Sequence, residues 1–86
     1  SRVDFASSFG QRGRLAALAA ARLDFADALF DVHTVAAGTA LDRIATTRSL
    51  HELWHLRGEV FDLVSIRHDQ AEAERRVADL DRHFAR

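Results

Sequence analysis

At 86 residues, 48% of them apolar, and with a formal net charge of −1, the chain is sized and composed for one small folded domain, not a disordered segment. Charges of both signs are interspersed, which excludes the basic footprint of a nucleic-acid binder, and no apolar run reaches the roughly 18 residues that mark a membrane-spanning helix. Cysteine is absent, so disulfides and thiolate metal sites are excluded; proline is absent too, so nothing forbids long uninterrupted helices.

No basic segment leading into an apolar one opens the sequence, and a cytoplasmic location is expected. Residues 1–11 mix serine, glycine and the apolar Val3, Phe5 and Phe9, and are expected to form a loose arm. From Arg12 the pattern becomes helical. Leu15, Leu18, Phe25, Leu29, Val32 and Ala36 form one apolar stripe, and Ala19, Leu23, Ala26 and Phe30 form a second beside it. Asp24, Asp27 and Asp31 share the opposite side. Leu41, Ile44 and Ala45 resume the apolar face past Gly38, because an isolated glycine costs only about 1 kcal/mol against alanine. The spacing therefore predicts one helix over about 12–46.

The segment Thr46-Thr47-Arg48-Ser49 is the clearest break, with β-branched residues leading into a capping serine. Ser49 followed three residues later by Glu52 is a capping box, which opens a second helix predicted over about 50–84. Leu53, Leu56, Val60, Leu63, Ile66, Gln70, Ala73, Val77, Leu80 and Phe84 follow its main stripe at nearly heptad spacing. Leu50, Trp54, Phe61 and Val64 add a second face near the turn, whereas residues 67–82 replace it with solvated charges.

Two helices of about 50 Å each, joined by a turn at about 47–49, predict an all-α antiparallel two-helix hairpin forming one domain over residues 12–86. Such a hairpin exposes apolar residues on two faces, so dimerisation into a four-helix bundle is expected. The expected self-association surface comprises Leu53, Trp54, Val60, Phe61, Leu63 and Val64, with Phe25, Leu29 and Phe30 from the first helix. A turn centred on Thr47 and Arg48 would set His68 near Asp27, His33 near Asp62, and Glu52 opposite Arg43.

The sequence His51-Glu52-Leu53-Trp54-His55 matches the HExxH pattern of zinc metalloproteases, in which two histidines one helical turn apart hold the ion and the glutamate acts as base. Gly58 extends the match, but Phe61 stands where a third ligand would follow, and no strand pattern supplies a substrate-binding sheet edge. Glu52-x-x-His55 is also the ExxH element of di-iron carboxylate bundles, yet the expected hairpin places no carboxylate opposite it. The favoured expectation is therefore no catalytic residue and no cofactor. The alternative is a metal-binding bundle that holds zinc or iron at His51, Glu52 and His55.

Leu41, Ile44, Ala45, Arg48-Ser49, Glu52-Leu53, Leu56, Glu59 and Phe61 together resemble the phasin family, small helical proteins that coat polyhydroxyalkanoate granules. The carrying pattern is a small-residue helix, a basic-serine turn, then a glutamate-leucine opening to a phenylalanine-bearing helix. It covers about a third of the chain, residues 41–63, and Gly58 departs from it where the family commonly has glutamine nearby. The resemblance implies a non-enzymatic surface-coating protein that acts through amphipathic helices and self-association, with a hydrophobic granule or lipid-like surface as partner. Residues 49–53 also resemble the opening of a long helix in TolC-type efflux proteins. That resemblance implies a coiled-coil hairpin fragment, without the strands of the family's barrel.

Overall fold

The structure, a computed structural model, describes the backbone of residues 2–84 and the side chains of residues 13–84. Among the described residues it is entirely helical: α1 (Arg2–Asp27), α2 (Val35–Thr46), α3 (Leu50–Trp54), α4 (Arg57–Arg67) and α5 (Gln70–Asp81). The all-α class is as expected. The two long helices are not.

The helix expected over 12–46 is interrupted between Asp27 and Val35. At the end of α1 the backbone bonds tighten from four-residue to three-residue spacing, as in Leu29 N–H to Ala26 O and Phe30 N–H to Asp27 O. Thr34 then takes an extended conformation, and its hydroxyl accepts from Ala37 N–H at 3.1 Å, which starts α2. The helix expected over 50–84 is divided twice. It pauses at His55 and Leu56, and it reverses at His68 and Asp69, where Asp69 Oδ1 accepts from Glu72 N–H at 2.8 Å. Short polar side chains thus offer the chain a local hydrogen bond that competes with helix continuation, a competition that apolar periodicity does not register. Residues 2–11, expected as a loose arm, lie within α1, while Ser1 and the side chains of Val3, Phe5 and Phe9 fall outside the described residues.

Two antiparallel helix pairs replace the single hairpin. In the first, α2 returns beside α1: Ala26 and Leu23 share a groove with Leu41 and Ile44, and Arg22 Nε donates to Thr47 Oγ1 at 3.4 Å. In the second, α5 returns along α4, and the guanidinium of Arg57 at the start of α4 meets Asp81 at the end of α5. The pairs pack on one core. Phe25, Leu29, Leu53, Val60 and Val64 are its largest fully buried side chains, joined by Leu18, Ile44, Leu63, Leu80 and several alanines. Each fully buried large side chain contributes about 1.5–3 kcal/mol relative to exposure.

The expected stripe of the second helix continues through Ile66, but Ile66 is 82% exposed, because the chain turns two residues later. The radius of gyration is 14.8 Å, above the about 12 Å of a compact chain of this length. The cause is α1: Gly13–Ala17 are all exposed, and Leu18 is its first buried residue among the described side chains.

Candidate functional site

The capping stretch folds largely as its residues dictate. Ser49 is extended, and its Oγ accepts from Glu52 N–H at 3.2 Å. Glu52 Oε2 reaches back at 2.7 Å, but to Arg48 N–H, one residue before the position that a capping box specifies. The Glu52 carboxylate is thereby committed to the helix start. Leu53 points inward and is fully buried, which sends His51, Trp54 and His55 outward.

On that outer side the imidazoles of His51 and His55 stand perpendicular, with ring centroids 4.7 Å apart and the two Nε2 atoms 3.3 Å apart. Trp54 meets His55 edge to face at 5.2 Å, and the Arg57 guanidinium lies 4.7 Å over the Trp54 ring. Among the described residues, no group of three or more histidine or carboxylate side chains converges as a metal site.

The nine residues expected for self-association separate into two groups. Phe25, Leu29, Leu53, Val60, Leu63 and Val64 are buried inside the chain's own core, and Phe61 packs partly against it. Phe30 and Trp54 face solvent, at 68% and 42% exposure. An intramolecular pairing of two hairpins has consumed the apolar area that a lone hairpin would have left for a partner.

The exposed apolar side chains that remain are spread over the fold, with Val35 on α2, Ile66 on α4 and the pair Leu15 and Leu23 on α1. Leu15 is 58% exposed and Leu23 is 69% exposed; with Ala19, Ala26 and Phe30 they follow helical spacing along one side. Between α1 and α2 this side opens into a groove lined by Ala19, Arg22, Leu23, Ala26, Leu41, Ile44 and Ala45. Toward the end of α2 the surface continues into a second hollow, where Leu15 and Leu18 face Arg48 and Leu50. The second stripe of the first helix pattern already contains Leu23 and Phe30; the burial of Phe25 and Leu29 is what singles them out.

A charged seam joins α1 to α5. Asp31 accepts from both terminal nitrogens of Arg76 at 2.8 and 3.0 Å and lies 2.5 Å from His68 Nε2. Asp24 pairs with the Arg82 guanidinium and lies 2.5 Å from His83 Nε2. Hydrogen bonds from Arg76, with a smaller contribution from His68, hold the Asp31 carboxyl well below the usual carboxylate range against the opposing effect of partial burial. Arg82, then His83, lower Asp24 in the same sense. The expected partners were different. His68 meets Asp31 instead of Asp27, Arg43 pairs with Glu59 at 3.0 Å instead of facing Glu52, and His33 is exposed in the loop before Thr34. The break at 47–49 lies where expected, between α2 and α3, but the register fails because further reversals at 28–34 and 68–69 and the pause at His55 and Leu56 shift which residues face each other.

No helix among the described residues is long and apolar enough to cross a membrane. No family model, curated protein or solved structure matches this chain.

Proposed function

We propose that this chain is a non-enzymatic helical association module that self-assembles through the α1–α2 face. The supporting observation is Leu15 and Leu23, each more than half exposed on α1 along the two hollows between it and the segment from α2 to Leu50, with Phe30 exposed past the helix end. A small domain with a well-formed core gains nothing in stability from large apolar side chains in water, and contiguous patches of this kind mark association surfaces. A second copy, carrying the same exposed leucines, supplies the apolar cover.

A phasin-type role would use the same face differently, laying it on a hydrophobic granule or lipid-like surface. The two uses separate experimentally. Light scattering on the wild-type protein should show a concentration-dependent oligomer, and Leu23→Ser/Phe30→Ser should shift it to monomer with unchanged helicity. A wild-type protein that stays monomeric yet coats polymer granules or neutral lipid droplets would replace self-assembly with the coating role. A monomer that binds neither surface would remove both.

A further inference from the structure

The outer side of α3 carries a second feature, independent of the α1–α2 face. We propose that His51 and His55 form a two-imidazole site for a tetrahedral divalent ion of the zinc class, with water completing the coordination. The argument starts from the separation of the donor atoms. Two nitrogens bound to one zinc ion at about 2.0–2.1 Å and at the tetrahedral angle lie about 3.3–3.4 Å apart. The Nε2 atoms of His51 and His55 are 3.3 Å apart. A square-planar ion would bring the same two nitrogens to about 2.8–2.9 Å, so the bite favours tetrahedral over tetragonal preferences. The same separation also fits one imidazole donating to the other, a contact that a bound ion would replace.

The surroundings support the same assignment. Leu53 is fully buried between the two histidines, which fixes the rotation of this turn and holds both rings on the solvent side. The edge-to-face contact of Trp54 with His55 restrains the second ring. Both imidazoles are exposed, so an ion reaches them without any opening of the fold. Glu52, the remaining polar residue of the HExxH pattern, is held by Arg48 N–H at 2.7 Å. The site therefore has two protein ligands and no adjacent free carboxylate to act as base, which makes it a binding site and not a hydrolytic centre.

The test uses tag-free protein titrated with zinc by calorimetry, and with cobalt(II) by visible absorption, because tetrahedral cobalt gives intense d–d bands. Trp54 is the only tryptophan of the chain, so its emission reports on an ion at the neighbouring His55. The expected result is saturable binding of one ion per chain, intense cobalt bands and a change in Trp54 emission. All three should be lost in His51→Gln and in His55→Gln and kept in His33→Gln, with circular dichroism confirming unchanged helicity. In the wild-type protein alone, cobalt should shift or broaden the imidazole resonances of His51 and His55 before those of His68 and His83. Binding that survives both single substitutions, paramagnetic effects centred on other histidines, or no saturable binding would each overturn the assignment.

Discussion

Arg76 of α5 grips Asp31, beyond the end of α1, with both terminal nitrogens, at 2.8 and 3.0 Å. The same guanidinium donates to the Ala28 carbonyl at 2.9 Å, and its Nε donates to Glu72 at 2.7 Å on its own helix. Ala28 lies just past the last residue of α1, where backbone carbonyls lose their helical partners. Arg76 therefore caps one helix from another, and it covers the Phe30 ring at 5.3 Å while doing so. Lysine has a single nitrogen and cannot reproduce the fork. Arg76→Lys and Arg76→Ala should both lower the melting temperature by several degrees, the alanine variant more, whereas Arg75→Ala, on the exposed side, should change it little. Equal effects at positions 75 and 76 would show that the fork does not tie α5 to α1.

The same pairing predicts acid sensitivity. Asp31 and Asp24 have their carboxyl groups lowered in the folded chain, so folding favours their charged forms. Their contribution is complete above the unfolded-state value of about 3.9 and is lost as pH falls through the lower folded values. Thermal stability should be steady between neutrality and pH about 5 with respect to these groups, then decline below about 4. Asp31→Asn should lower stability at neutral pH and flatten the acid decline. Melting curves for both proteins at pH 7 and pH 3 measure the difference.

How far the sequence discloses this fold depends on which physical signal is read. Apolar periodicity marks the helices and most of the core, including Phe25, Leu29, Leu53, Val60 and Val64. It says nothing about where a helix stops, because Ile66 and Ala73 keep the spacing across the reversal at His68 and Asp69. The stop signals are the capping side chains. Asp69 followed by Glu72 repeats the arrangement of Ser49 followed by Glu52, and each cap oxygen accepts from the N–H of the third residue of the next helix. The histidine pair is legible as an i, i+4 motif, but its bite depends on the rotation that buried Leu53 imposes.

The caps carry their own prediction. Ser49→Ala and Asp69→Ala should each cost about 1 kcal/mol, measured by denaturant unfolding. Ser49→Asp should cost little, because aspartate accepts the same N–H. If Asp69→Ala is neutral while Ser49→Ala is not, the α4–α5 reversal is held by packing and not by its cap.

Core and surface phenylalanines should behave oppositely despite their shared helical pattern. Phe25 is completely buried and meets Phe84 edge to face at 6.0 Å. Phe25→Ala should destabilise by about 3–5 kcal/mol, a large part of the total stability of a small domain. Phe30→Ala removes an exposed ring and should change stability by under about 1 kcal/mol, while weakening self-association. Unfolding curves and light scattering on the same two variants separate the roles.

Gly38 in α2 and Gly58 in α4 sit in helices with ordinary backbone angles, and a Cβ built at either meets no atom within 4 Å. Neither position needs the left-handed conformations or the close approach that would justify glycine. Each glycine leaves the unfolded chain more freedom and costs a helix interior about 0.5–1 kcal/mol against alanine. Gly38→Ala lies well inside α2 and should stabilise by close to that amount; Gly58→Ala, at the first turn of α4, should give less. The gain should appear in the midpoint of urea unfolding with an unchanged slope, since no additional surface is buried. Loss of stability in Gly38→Ala would mean that the exposed side of α2 is covered in solution, as it would be if a second copy approaches the α1–α2 groove more closely than a methyl group permits. Repeating the measurement across protein concentrations distinguishes that case, because a clash between copies weakens with dilution and an internal one does not.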